Sequence, residues 1–199
     1  MCFRATARIF WVVGFAALAS ACAEGAKPGA MMVNRGVEAV IQNDSPLHGS
    51  MGVTAVTGGE KTDPAWMSKV SNEDFEKALR LSLESHSMLS AEGDAPLMVS
   101  ADLVALDQPF IGFDMTVTSI VAYTVKHAKN GLVFKETVTT PFTATMSDAF
   151  AGYQRLRIAN EGAIRRNIQS FIKQIVERAK QEPEKFDAPD GQTPKLQTS

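Results

Sequence analysis

The chain of 199 residues has few cysteines, few histidines and little net charge, so these features narrow its function only by exclusion. It contains only two cysteines, Cys2 and Cys22, and three histidines. Two cysteines cannot build the disulfide framework of a small secreted domain, so the stability of the fold must come from its core. Its 20 basic and 22 acidic residues give a net charge of −2, which provides no electrostatic reason to expect nucleic acid as a partner.

The sequence also lacks an apolar run long enough to cross a bilayer as a helix. Its longest such stretch, residues 9–20, has twelve apolar or small residues, whereas a spanning helix needs roughly 20. Arg4 and Arg8 precede this stretch without any acidic residue, and small residues follow it. A cationic start, a short apolar region and small residues are typical of a secretory signal. We therefore predict that residues 1–21 are a signal peptide.

The end of this segment carries a more specific motif. Leu18-Ala19-Ser20-Ala21 before Cys22 resembles the lipobox of bacterial lipoproteins, although Ala19 stands where leucine is usual. The resemblance implies cleavage between Ala21 and Cys22 and acylation of Cys22 with fatty acyl chains such as palmitate. Two or more acyl chains hold a protein firmly on a membrane. The alternative is ordinary secretion after Ala-Ser-Ala, with Cys22 left as an unmodified thiol.

The residue after the cysteine indicates which membrane the anchor would reach. In the lipoprotein sorting rule that the resemblance implies, an aspartate there favours the inner membrane, and this chain has Ala23. We therefore expect the periplasmic face of the outer membrane. Cleavage would leave 178 residues, with 18 basic and 22 acidic side chains, because the signal carries two arginines and no acid.

The mature chain divides into a domain and two flanking segments. Residues 22–48 have few large apolar clusters, so we predict the acylated cysteine followed by a flexible tether, with residues 37–41 as a possible short strand. Residues 49–180 carry the periodic patterns of one globular domain. Residues 181–199 contain three prolines and little to bury, which predicts a disordered tail.

Four strands and two helices are predicted within the domain. Ser71 and Asp74 resemble a capping box for a helix over residues 72–88. Alternating apolar residues predict strands over residues 51–57, 97–106, 114–127 and 132–145. Asn130-Gly131 predicts a type I′ turn between the last two strands. An apolar stripe predicts a second helix over residues 153–180, in which Gly162 weakens the continuity of the first turns.

The element order is therefore β-α-β-β-β-α, a pattern typical of the α+β class. An antiparallel-rich sheet with one face covered by both helices is the natural two-layer arrangement for this order. The segment of residues 157–168 resembles uncharacterised proteobacterial lipoproteins. In size and element order the chain is most similar to YajG-like lipoproteins of the Gram-negative envelope, and more distantly to LptE-like proteins.

The second helix carries the candidate binding residues. Arg155, Arg157, Arg165 and Arg166 place four cations within twelve residues, and they could contact an anionic glycolipid, a phospholipid headgroup or an acidic partner. The alternative is an ordinary solvated helix face, because glutamates share that face.

No catalytic or metal-binding pattern stands out in the sequence. His48, His86 and His127 lie 38 and 41 residues apart, which matches no metal-ligand spacing, and we expect surface roles for them. We find no nucleophile with its base and no phosphate-binding loop, so we expect no enzyme activity, metal or cofactor.

The resemblance then implies a function. We expect a membrane-anchored, non-enzymatic binding or accessory module for an envelope protein or glycolipid. The alternatives are an LptE-like factor in lipopolysaccharide assembly and, from another class, a periplasmic enzyme acting on cell-wall or acyl substrates.

Overall fold

The computed structural model describes residues 24–36, 41, 43–62, 68–91 and 95–187. The predicted signal segment and Cys22 lie outside these residues. The elements in chain order are α1 Pro28–Met31, β1 Met51–Thr57, α2 Asn72–Ser85, β2 Leu97–Asp107, β3 Met115–His127, β4 Gly131–Ala144, α3 Gly152–Gln181 and α4 Pro183–Phe186. Within the described ranges, no helix combines the length and apolar composition that crossing a bilayer requires.

One mixed sheet organises the domain, with its strands in the order β1-β2-β3-β4. β1 runs parallel to β2, and the remaining pairs are antiparallel. A parallel neighbour requires a crossover connection, which α2 supplies between β1 and β2. α2 packs against β1, and α3 packs against β3 and β4. The α+β class and the antiparallel-rich sheet covered by two helices are thus confirmed.

The start of α2 follows the predicted capping chemistry. The hydroxyl of Ser71 accepts a hydrogen bond from the Asp74 backbone N–H at 3.0 Å and donates to the Asp74 carboxylate at 2.7 Å. Phe75, Leu79 and Leu83 are fully buried on one face of the helix. α2 ends at Ser85, three residues before the predicted end, and Ser87 then adopts a positive φ of 58°.

The hairpin between β3 and β4 differs from the predicted turn. Gly131 has a φ of 75°, but Asn130 does not have the positive φ that a type I′ turn requires. His127 pairs with Gly131 across three turn residues. This is the longer class of hairpin loop, in which a left-handed glycine returns the chain to the strand. Asn130 uses its side chain elsewhere, donating to the Lys185 carbonyl at 3.0 Å.

α3 is continuous through Gly162 and forms the main support of the sheet. Its buried residues include Ile164, Ile168 and Phe171. The Phe171 ring stacks on Tyr123 of β3 with ring centroids 4.2 Å apart, and burial raises the pKa of Tyr123. Gly162 occurs in this helix because the ring of Phe142 lies against it. A Cβ atom at Gly162 would lie only 2.4 Å from that ring.

The predicted N-terminal tether is corrected by the structure. Ala26, Met31, Val33 and Leu47 are buried, and the backbone N–H of Val33 donates to the hydroxyl of Ser82 on α2 at 2.9 Å. The segment was predicted as a tether because its apolar residues are isolated and follow no helical or strand period. Each one instead fills space left by the longer elements. The possible strand at residues 37–41 lies outside the described residues except for Ile41, which is buried.

The predicted C-terminal tail is also corrected at its start. Residues 183–186 form α4, and Phe186 is 2% exposed. One large aromatic residue among charged neighbours is enough to dock a single helical turn, although its composition resembles that of a disordered segment. Residues 188–199 lie outside the described part of the chain. Among the described residues, buried side chains thus occur from Ala26 to Phe186, beyond the predicted domain limits of 49 and 180.

Candidate functional site

The structure separates the four arginines that the sequence grouped together. Arg155 is 6% exposed, and its guanidinium donates hydrogen bonds to three backbone carbonyls. Two of these belong to Ala149 and Phe150 in the loop before α3. The third belongs to Gly112 in the loop between β2 and β3, at 3.4 Å. Arg155 therefore joins two loops and is placed to stabilise them.

Arg157 points to nearly the opposite side of α3 from Arg155, and it holds the N-terminal segment. Its guanidinium forms an ion pair with Glu24 and lies 3.9 Å from the carboxylate of Glu161. The carboxylate of Glu161 also accepts a hydrogen bond from the Lys27 backbone N–H at 3.0 Å. Burial raises the pKa of Glu161, opposed by the Lys27 N–H group and the charge of Arg157. This cluster attaches residues 24–27 to α3.

The other two arginines, Arg165 and Arg166, are exposed and share one neighbour. Their guanidinium carbons lie 6.0 and 4.8 Å from the centroid of the Phe142 ring on β4, respectively. Arg165 also donates to the carbonyl of Ala30 at 2.9 Å, and Arg166 donates to that of Pro141 at 3.0 Å. Two of the four predicted residues thus lie together on the surface. Their contact with an anionic ligand stays a prediction.

The histidines do not have the surface roles that their positions suggested, except for His48, which is exposed. His86 and His127 are 4% and 2% exposed. The Nδ1 atom of His86 lies 2.7 Å from the carbonyl oxygen of Ser82, at the end of α2. The Nδ1 atom of His127 accepts the backbone N–H groups of Lys129 and Asn130 and so stabilises the hairpin turn. In each buried histidine the Nδ1 atom therefore contacts nearby backbone groups, whereas the buried Nε2 atom of His127 has no hydrogen-bond partner.

Within the described ranges, no group of three or more His, Cys, Asp or Glu residues is placed to hold a metal ion. A cavity of about 600 Å³ lies between α3 and the segment that follows α1. Val33 and Ile172 give it apolar walls, and His86, Lys173 and Lys180 give it polar ones. It opens to solvent, and its mixed lining selects no particular ligand chemistry.

The most distinctive surface of the described residues was not predicted from the sequence. We call it the loop-tip surface, and define it as Phe110, Ile111 and Phe113 in the β2–β3 loop together with Phe150 in the β4–α3 loop. These four side chains are 79–87% exposed. Single exposed apolar residues are common, but a group of them marks an interaction site. The sequence feature that could have indicated this surface is the presence of three large apolar residues in one short connection between two predicted strands.

The bases of both loops are held by hydrogen bonds, although their tips are exposed. In the β4–α3 loop, the Asp148 carboxylate accepts from the backbone N–H of Thr145 at 2.7 Å and from its hydroxyl at 2.9 Å. These bonds lower the pKa of Asp148. In the β2–β3 loop, the Gln108 amide donates to the Asn160 side chain on α3 at 2.7 Å. The apolar tips are therefore presented by loops with fixed ends.

Comparisons with known proteins give a fold but no family. No family model matches the chain, and no curated protein matches it. A crystal structure of a Xanthomonas campestris protein described by the family model DUF330 is similar, with a TM-score of 0.53 and 11% identity. That similarity covers 77% of this chain and 99% of the other.

Two further solved structures are less similar. A candidate lipoprotein from Caulobacter crescentus has a TM-score of 0.44 and 14% identity, over 70% of this chain and 95% of its own. A hypothetical protein from Chlamydia trachomatis has a TM-score of 0.44 and 13% identity, over 66% of this chain and 95% of its own. At these identities the likeness to the Xanthomonas protein shows a shared fold, and the other two carry no further argument.

Proposed function

We propose that the protein is a lipoprotein of the Gram-negative envelope, anchored through acylated Cys22 on the periplasmic face of the outer membrane. Its domain acts there as a non-enzymatic binding or accessory module for an envelope protein or envelope component. The size and element order that resemble YajG-like lipoproteins support this proposal, as does the sorting residue Ala23.

One observation carries the proposal: the lipobox-like motif stands directly before the packed domain. The first described residue, Glu24, already pairs with Arg157, and Ala26 is 3% exposed. Cleavage before Cys22 would therefore remove the apolar segment and leave every described contact intact. Cleavage before Cys22 is therefore compatible with a folded domain that begins two residues after the acylated cysteine.

Metabolic labelling with a palmitate analogue tests the proposal. The wild-type chain should incorporate the label and fractionate with outer membranes, whereas Cys22→Ala should incorporate none and keep its signal segment. Cys2→Ala is the matched control, because Cys2 lies in the segment that is removed. Equal labelling and processing of the wild type and Cys22→Ala would contradict the proposal.

A second candidate function is favoured by the exposed pair Arg165 and Arg166 beside Phe142. Two cations next to an aromatic ring could bind the phosphates and the apolar part of an anionic glycolipid, as an LptE-like accessory would. Lipopolysaccharide binding by the wild type, lost in the Arg165→Glu, Arg166→Glu double variant, would support this function. Arg178→Glu, on the C-terminal part of α3, is the control. Binding that both variants keep would contradict it.

A further inference from the structure

We infer that the loop-tip surface inserts into the same bilayer that holds the acyl chains of Cys22. This inference rests on the proposed lipid anchor and adds a second contact with the membrane. The four exposed apolar side chains of the loop-tip surface would contact lipid, and the end of the domain that carries these loops would face the bilayer.

The two loops form one continuous surface because a single side chain joins them. The guanidinium of Arg155 bonds to the carbonyls of Phe150 and Gly112, one from each loop. One guanidinium is only a few ångströms wide, so these backbone positions are close neighbours. Phe150 therefore lies beside Ile111 and Phe113, and the exposed side chains can enter an apolar phase together.

The anchor lies at the same end of the domain as the loops. Arg157, which pairs with Glu24, is two residues from Arg155 on α3, an axial separation of about 3 Å. Cys22 precedes Glu24 by two residues, which span at most about 7 Å. Glu24 thus lies at the level of α3 from which Arg155 reaches the loops, although Arg155 and Arg157 project from nearly opposite sides of the helix. Because residues 24–36 are packed and not a tether, the domain cannot stand far from the lipid.

The composition of the two loops favours the apolar layer of the bilayer over a charged partner. Residues 108–114 and 145–151 contain no lysine or arginine. Their acids are Asp114 and Asp148, and the carboxylate of Asp148 is bonded to Thr145 within its own loop. Phenylalanine and isoleucine are suited to the boundary between headgroups and acyl chains. We therefore expect insertion that depends little on anionic lipid.

Depth-dependent quenching in the acylated full-length protein tests the inference. Acylation occupies Cys22, so Ile111→Cys or Phe150→Cys provides the one free thiol for a fluorophore. Lys129→Cys is the control, because Lys129 is exposed in the hairpin at the opposite end of α3. The labelled proteins are reconstituted in phosphatidylcholine vesicles, and flotation with the vesicles is measured first. Quenching by nitroxide lipids and by iodide is then compared.

Labels at positions 111 and 150 should be quenched several-fold more by nitroxide lipids than the label at 129, and less by iodide. Equal iodide quenching at all three positions would overturn the inference. Shielding of 111 and 150 from both quenchers would also overturn it, because protein would then cover the surface. Failure to float would instead refute the lipid anchor, so the two claims fail separately.

A second measurement uses residues 22–199 with Cys22→Ser, a chain that carries neither the apolar signal segment nor an acyl group. Its partitioning into phosphatidylcholine vesicles should fall about tenfold or more when Phe113 becomes serine. Leu132→Ser is the matched control, since Leu132 is 55% exposed but lies beside the opposite hairpin. Equal effects of the two substitutions would count against the inference. Replacing part of the lipid with phosphatidylglycerol should change the partitioning little.

Discussion

Met31 provides the sharpest test of the packed N-terminal segment. Its side chain is fully buried, while the adjacent Met32 is half-buried. Replacing a buried methionine by alanine costs about 2–5 kcal/mol, because apolar contacts are lost and a cavity remains. Met31→Ala should therefore lower the free energy of unfolding by about 3 kcal/mol. In a domain of this size, that corresponds to a fall in melting temperature of about 6–12 °C.

Met32→Ala is the matched control, because the same side chain is removed one position away and the unfolded chains are nearly identical. It should cost about 1 kcal/mol or less. Urea unfolding of residues 22–199 with Cys22→Ser, followed by circular dichroism, measures both variants. If the two lost the same stability to within 0.5 kcal/mol, residues 28–31 would not belong to the core.

Three further predictions concern α3. Gly162→Ala should cost about 1–3 kcal/mol by overpacking against Phe142, and much less in a Phe142→Ala background; equal costs would refute the contact. Arg155→Met should leave loop carbonyls without donors and speed proteolysis between residues 145 and 151, whereas unchanged cleavage would contradict its bridging role. The raised pKa of Glu161 means that the contribution of this group to folding stability falls as the pH rises from about 4.5 through that pKa. Glu161→Gln should remove this negative contribution, so that the free energy of unfolding changes more positively with pH than in the wild type in urea titrations across that range; an unchanged slope would refute the assignment.

The strands and long helices could be predicted because apolar residues recur along each of them with the spacing of a strand or of a helix. Met115, Val117 and Val121 alternate along β3 as a strand with one buried face requires, and all three are buried. The capping residues Ser71 and Asp74 fixed the start of α2 through local chemistry alone. Such signals depend on neighbours in sequence, so one sequence is sufficient to read them.

The remaining features depend on contacts that are distant in sequence. Met31 and Phe186 are isolated apolar residues in polar segments, and only the space between helices and sheet determines that they are buried. The turn at Asn130 follows from the bonds of its side chain to α4 rather than from its preference for positive φ. Arg155 was predicted at a ligand surface, but carbonyls from two loops lie within its reach and satisfy it internally.

The loop-tip surface could have been noticed in the sequence but not interpreted from it. Phe110, Ile111 and Phe113 stand between two strands, where a buried extension of β2 is as reasonable as an exposed loop. The exposure of all three and the proximity of Phe150 come only from the three-dimensional arrangement. Their relation to the anchor required the additional ion pair between Glu24 and Arg157.

The intact mass of the protein extracted from membranes tests the central claim most directly. The lipid-anchor account predicts a chain that begins at Cys22 and carries the added mass of three fatty acyl chains and one glycerol. The same measurement on Cys22→Ala should give an unmodified precursor that retains residues 1–21. A wild-type chain that begins at Cys22 or later without added lipid would contradict the account.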